Sequence, residues 1–78
     1  MDREAILDKV ISVTAESLDV DAASLGEETD FKQLGADSFD LLELVTAFED
    51  EFGRTLPDEV LAEITTIADA VEAIERAQ

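Results

Sequence analysis

The sequence lacks the side chains that most enzymes and metal sites use. Its 78 residues contain no cysteine, no histidine, no tryptophan and no tyrosine. Without cysteine the chain forms neither a disulfide nor a thiolate metal site. Without histidine it has no imidazole to serve as a general base, so that carboxylates would have to carry any acid–base chemistry. We therefore expect neither a catalytic site nor a metal site.

Long apolar runs and basic side chains are also scarce. No stretch approaches the roughly 18 residues of a membrane span, and the start "MDREAILDKV" lacks the cationic end and apolar stretch of a signal peptide. The chain carries 5 bases against 21 acids, a net charge of −16. Such a surface repels nucleic-acid phosphates and anionic lipids and attracts basic proteins. We expect a cytoplasmic protein that binds no nucleic acid or membrane.

Apolar side chains, in contrast, are frequent and recur at helical spacing. They make up 46% of the sequence, which is enough for the core of a single domain over residues 1–78. The spacing predicts helices over residues 3–17 and 38–52, a short one from Asp58, and a last one that opens at Thr66. Nothing reads as a strand. The predicted fold is all-α, a small antiparallel bundle of three main helices and one short helix.

A long stretch without a sustained period, residues 19–36, separates the first two predicted helices. A loop of this length in so small a domain is more often functional than idle. Its four large apolar residues are expected to hold it against the core. They are Val20, Leu25, Phe31 and Leu34.

The loop leads to Ser38, at the predicted first residue of the second helix. Serine and aspartate are both common at helix starts, so that Ser38 and the expected N-cap Asp37 could serve only to begin the helix. A hydroxyl in this place is also well placed to carry a phosphate, because the free N–H groups and the positive end of the helix dipole stabilise an anion. With no base of its own, the serine would need another enzyme to activate it.

The second helix has an apolar face and an acidic face. The helical spacing brings Leu44, Val45 and Phe48 together on the face toward the core, and residues 37–51 include six acids and no base. Phe39 falls among the acids. An aromatic ring on an acidic face is either covered by the preceding loop or contacts a partner.

The stretch "LGADSFDLLELVTAFEDEFG" resembles the acyl carrier proteins, whose signature is Asp-Ser-Leu at the start of an acidic second helix. The resemblance continues through "LPDEVLAEITTIADAVEAI" and includes the lead-in of Phe31, Leu34 and Gly35. Two residues depart from the family pattern. Phe39 replaces the usual leucine, which would alter partner choice, and Leu41 stands where many fatty-acid carriers have a smaller or polar residue.

The resemblance implies that Ser38 is the attachment point for 4′-phosphopantetheine, which a separate phosphopantetheinyl transferase takes from coenzyme A. The acyl cargo would ride on this arm as a thioester. The family's acidic second helix docks on basic patches of partner enzymes. The acids at the matching positions here are Asp37, Asp40, Glu43, Glu49 and Asp50. Phe39 and Thr46, on the same outward face, would be the apolar and neutral contacts beside them.

The resemblance also implies a cavity for the acyl chain between the second helix and the short third helix. Its candidate lining residues are Leu41, Phe48, Leu56, Leu61, Ile64 and Ala70. The alternative for each of these is an ordinary place in the core.

Three functions follow from the sequence. The first is a monomeric carrier for fatty acid biosynthesis, and the second is a specialised carrier of a polyketide, unusual-lipid or D-alanyl pathway. The third, an acidic interaction module without a cofactor, explains the charge of −16 but gives no reason for Ser38.

Overall fold

The structure is a computed structural model that describes residues 2–77. These residues form α1 (Arg3–Leu18), α2 (Ser38–Phe52), the single turn α3 (Asp58–Leu61) and α4 (Ile67–Arg76). The predicted all-α class is thus confirmed, and α1 runs one residue beyond its predicted end. Within residues 2–77 there is no strand, only an isolated β-bridge between Asp30 and Thr66.

The ends of the long helices follow local sequence signals. Asp2 is the N-cap of α1, and its carboxylate accepts the N–H of Ala5 at 2.8 Å. Gly53 ends α2 in the left-handed region at φ 62°, as its lack of a side chain favours. Asp19 ends α1 at φ 55°. This conformation costs a non-glycine residue free energy, and an aspartate tolerates it better than most side chains.

The core lies between α1, α2 and α4, and α1 packs most extensively against α4. The side chains that are exposed by 1% or less include Ile6 and Val10 of α1, Phe48 of α2, and Ile67 and Ile74 of α4. These are the apolar stripes that the helical spacing predicts.

One polar residue shares this core. Thr14 of α1 is fully buried, and its hydroxyl oxygen has no hydrogen-bond partner among residues 2–77. Helical spacing does not predict this burial, because the apolar stripe of α1 gives no sign that a threonine beside it is buried.

The loop between α1 and α2 is more ordered than its irregular sequence suggests. It contains two 3₁₀ turns, Ala22–Ser24 and Phe31–Leu34. Leu25 and Phe31 are buried in the core, while Val20 and Leu34 pack against it, so all four predicted anchors are confirmed. Three backbone hydrogen bonds join the loop to the start of α4: Phe31 N–H to Thr65 O at 3.0 Å, Ile67 N–H to Thr29 O at 3.0 Å, and Ala68 N–H to Glu27 O at 2.9 Å.

Candidate functional site

Ser38 is the exposed first residue of α2. The two aspartates on either side form a reciprocal capping box. The Asp37 carboxylate accepts the N–H of Asp40 at 2.9 Å, and the Asp40 carboxylate accepts the N–H of Asp37 at 3.2 Å. Asp37 is therefore the N-cap, as predicted. Because the aspartates supply the cap, the Ser38 hydroxyl is not needed to start the helix.

A sharp turn of the backbone places Ser38 at the surface. Gly35 follows the second 3₁₀ turn and adopts φ 84°, a conformation that strains any residue with a side chain. The next residue, Ala36, is buried and donates its N–H to Phe31 O at 3.2 Å. The backbone is thus anchored in the core two residues before Ser38, whereas the Ser38 side chain is exposed to solvent.

The electrostatics at this helix end fit a phosphodiester. The capping box uses the N–H of Asp40, and Leu41 N–H bonds to Asp37 O at 2.9 Å. The N–H groups of Ser38 and Phe39 belong to the first turn, where a helix offers no carbonyl partner. These donors and the helix dipole favour an anion on the Ser38 oxygen, although the two neighbouring carboxylates partly offset that effect.

The outward face of α2 carries most of the predicted docking residues. Five of the seven are exposed, while Asp40 and Glu49 are half-buried. The Phe39 side chain is 67% exposed, so the preceding loop does not cover it. Phe39 and Leu42, which is 48% exposed, border an open groove of about 390 Å³ together with Glu43, Thr46 and Asp50. Apolar and acidic groups therefore lie side by side on one accessible surface next to Ser38.

Glu49 differs from the other docking candidates. Its carboxylate accepts the backbone N–H of Leu56 at 2.7 Å, beyond the end of α2. Glu51, which was not a docking candidate, pairs instead with Lys9 of α1 at 3.2 Å. Helical spacing does not predict the Glu49 contact, because this bond joins an α2 side chain to a backbone group of the following loop.

The six candidates for the acyl pocket lie together in the structure. Phe48, Leu56, Ile64 and Ala70 are buried in the core, and Leu41 and Leu61 pack against it. Most of them are packed interior, whereas Leu56 and Ile64 each border a cavity between α3 and α4.

One cavity, of about 190 Å³, lies between α3 and the end of α4. Of the six pocket candidates only Leu56 lines it, and its other apolar lining residues are Pro57, Val60, Ala73 and Ala77. Two small alanines one helical turn apart were the signal in the sequence that could have indicated this space.

Asp69 organises the turn that supports the loop before Ser38. Its carboxylate accepts the N–H groups of Thr65 and Thr66, both at 3.0 Å, and Thr66 in turn caps α4. The hydrogen bond from Thr66, and then that from Thr65, lowers the pKa of Asp69. Because Thr65 O accepts the N–H of Phe31, this carboxylate also helps to fix the loop.

Two other features are absent from residues 2–77. No helix there has the length and apolar content that crossing a bilayer requires. The same residues bring together no group of three side chains suited to hold a metal ion.

Residues 8–74 match the protein family described as the phosphopantetheine attachment site. The chain is 44% identical to the acyl carrier protein of Rubrobacter xylanophilus over 75 residues, and this alignment covers 95% of this chain and 93% of that protein. It is 46% identical over 72 residues to the acyl carrier protein of a Picosynechococcus species, covering 91% and 89%.

Solved structures give the same result. The crystal structure of the acyl carrier protein from Thermotoga maritima is similar with a TM-score of 0.83 and 33% identity, covering 97% of this chain and 89% of that one. The acyl carrier protein from Enterococcus faecalis, described for its high thermal stability, has a TM-score of 0.77 and 36% identity, covering 95% of both chains.

Proposed function

The chain belongs to the phosphopantetheine attachment-site family of acyl carrier proteins, and from this premise we propose that Ser38 holds its 4′-phosphopantetheine. It is a carrier rather than an enzyme, and 4′-phosphopantetheine is its cofactor. The observation that carries the assignment is an exposed serine at a helix start that is capped entirely by its neighbours.

The chain's own residues would hold and present the cofactor rather than react. When bound, the cofactor supplies the terminal thiol on which acyl groups are carried as thioesters. Ser38 contributes the oxygen of the phosphodiester, and the first N–H groups of α2 lie next to its negative charge. The turn at Gly35 and the capping box keep this oxygen at the surface, where a phosphopantetheinyl transferase reaches it.

Partner enzymes would meet the protein on the outward face of α2. A basic patch on the partner complements Asp37, Glu43 and Asp50, and an apolar socket would accept the Phe39 ring. Charge complementarity accelerates association and leaves release fast, which suits a carrier that visits several enzymes. The bulky Phe39 would favour partners with a wider socket than a leucine requires.

Fatty acid biosynthesis is the pathway that we favour, because the chain matches acyl carrier proteins over nearly its whole length. A polyketide, unusual-lipid or D-alanyl pathway is the second candidate, since Phe39 and Leu41 depart from the usual fatty-acid pattern. The mass of the cargo on protein purified from its own cells separates the two, because saturated chains growing by two carbons identify the first. A single domain over residues 1–78, the monomeric state and the cytoplasmic location stay predictions.

The attachment at Ser38 is tested by intact mass before and after incubation with coenzyme A and a phosphopantetheinyl transferase. The wild-type protein is expected to gain one phosphopantetheine, and Ser38→Ala none. Ser12→Ala, which removes an exposed serine from α1, is the matched control and should be modified as the wild type is. Modification of Ser38→Ala would show that another residue is the attachment point.

A further inference from the structure

The segment that joins α2 to α4 has little stability of its own. Its helix α3 is one turn of four residues, and the N-cap residue Pro57 offers no side-chain hydrogen bond to it. A single helical turn is unstable in isolation, because its few hydrogen bonds do not offset the conformational entropy lost when its backbone is ordered. Contacts from outside the segment must therefore hold it in place.

Two polar contacts do so. The Glu49 carboxylate of α2 accepts the N–H of Leu56 at 2.7 Å, and the Arg54 guanidinium donates to Ile74 O at the end of α4 at 2.6 Å. Each joins an ionised group to a backbone amide group, and such hydrogen bonds are stronger than those between neutral groups. Both lie in partly buried surroundings, where water competes less well.

The Glu49 contact also sets the position of a cavity wall. The Leu56 side chain beside this bond is only 6% exposed, and Leu56, Pro57 and Val60 form one side of the 190 Å³ cavity against α4. If Leu56 N–H lost its acceptor, the loop would lose its side-chain hydrogen bond to α2, and we expect this wall to move more easily.

Glu49 is also within reach of a partner. It is half-buried rather than enclosed, and its neighbour in the sequence, Asp50, is exposed on the outward face of α2. A lysine or arginine that binds the Glu49 carboxylate would compete with the neutral Leu56 amide for the same oxygen atoms. A guanidinium group is the stronger donor, because it is charged and binds both oxygens at once.

We propose that the Glu49 carboxylate is a latch that holds residues 54–61 against the bundle, and that a cationic side chain binding this carboxylate loosens the segment. The link is reciprocal, because whatever weakens the Glu49–Leu56 bond must also strengthen cation binding at Glu49. The proposal rests on the proposed function only for the source of the cation, a basic partner.

Backbone hydrogen exchange of the unmodified protein tests the latch. The reporters are the amides of Val60 and Glu63, which bond to Pro57 O and Val60 O and do not touch Glu49. We expect Glu49→Ala to accelerate their exchange by about tenfold. Glu49→Gln, which keeps an oxygen acceptor, should restore most of the protection. Glu43→Gln, with the same loss of charge on an exposed part of α2, should leave the exchange unchanged.

The amides of Val10 and Leu44, in the buried parts of α1 and α2, report unfolding of the whole domain. In Glu49→Ala they should exchange at the wild-type rate. Unchanged exchange at Val60 and Glu63 would overturn the latch. Equal acceleration at all four amides would overturn it too, because Glu49 would then stabilise the whole bundle rather than this segment.

A tetra-arginine peptide tests the competition. Its binding to the wild-type protein should accelerate hydrogen exchange at the Val60 and Glu63 amides until the protein is saturated with peptide. In Glu49→Ala the peptide should cause no further acceleration. Binding without acceleration, or equal acceleration in the variant, would overturn the competition. Since no cofactor is present in these measurements, their outcome is independent of whether Ser38 is modified.

Discussion

The starts of α2 and α3 are built in opposite ways. At α2, the reciprocal bonds of Asp37 and Asp40 and the turn at Gly35 fix the helix within a few residues of Ser38. At α3, Pro57 makes no side-chain cap, and the segment depends on contacts with distant parts of the chain: Glu49 of α2 binds Leu56 N–H, and Arg54 binds Ile74 O of α4. The proposed attachment point is thus held by local contacts and the cavity wall by distant ones.

This difference suits a carrier. For the proposed attachment, a transferase must find the Ser38 oxygen in one position, so a rigid local frame around Ser38 favours modification. The segment that forms the cavity wall must move if a ligand is to enter the cavity. A segment held by few contacts moves at a low cost in free energy.

The largest expected difference between the two regions is in side-chain packing. Leu44 of α2 is fully buried, whereas Leu61 of α3 is half-buried beside the core. We expect Leu44→Ala to lower the free energy of unfolding by about 3 kcal/mol, and Leu61→Ala by about 1 kcal/mol, because a site near solvent leaves a smaller cavity. Urea denaturation of the two variants checks this. Equal losses would show that α3 is as firmly packed as α2.

A smaller difference is expected between the two helix starts. Asp37→Ala removes the acceptor that satisfies the N–H of Asp40, and should cost about 1 kcal/mol of stability. Asp58→Ala changes the first residue of α3, which accepts no capping bond, and should cost at most a few tenths of a kcal/mol. Thermal unfolding at one salt concentration compares the pair. A loss at Asp58 as large as that at Asp37 would contradict the contrast.

The smallest expected effect concerns pH and the start of α4. Because the N–H groups of Thr66 and Thr65 lower the pKa of Asp69 below its ordinary value of 3.8, its ionised form stabilises the folded state above that pH. This contribution is lost as the pH falls through the lowered pKa of the folded state.

Asp69→Asn should therefore be less stable than the wild type at pH 7, by less than about 1 kcal/mol. The deficit should shrink when the pH is taken below about 4. Glu72→Gln, on the exposed face of the same helix, is the matched control and should show no such convergence. Melting temperatures measured between pH 7 and pH 3 test this. A deficit that stays constant over this range would mean that the Asp69 charge is not involved.

Much of the fold was predictable because its signals are local. The bounds of α2, the αL residue Gly53 and the capping pair Thr66 and Asp69 were all expected and are confirmed. Each depends on residues within four positions of one another, so short stretches of sequence carry the information. The place of Ser38 at the helix start was predictable for the same reason.

The contacts made by side chains across the fold were not predictable. Helical spacing placed Phe39 among the acids but left open whether the loop covers it, and only the packed structure leaves it 67% exposed. The burial of Thr14 depends in the same way on how α1 meets the other helices. The family resemblance implies a cavity between α2 and α3, which stays a prediction, and helical spacing gave no sign of the space that the packed structure leaves between α3 and α4.

The sequence by itself determined the helices, their caps, the acidic surface and the position of Ser38, because periodicity and capping act over one or two turns. The tertiary structure alone decided that the loop before Ser38 bonds to the start of α4, and that Glu49 binds Leu56 N–H rather than only facing solvent. The physical reason is that these bonds join groups brought together only when the helices pack, and helical spacing carries no information about the backbone atom that a distant carboxylate will meet.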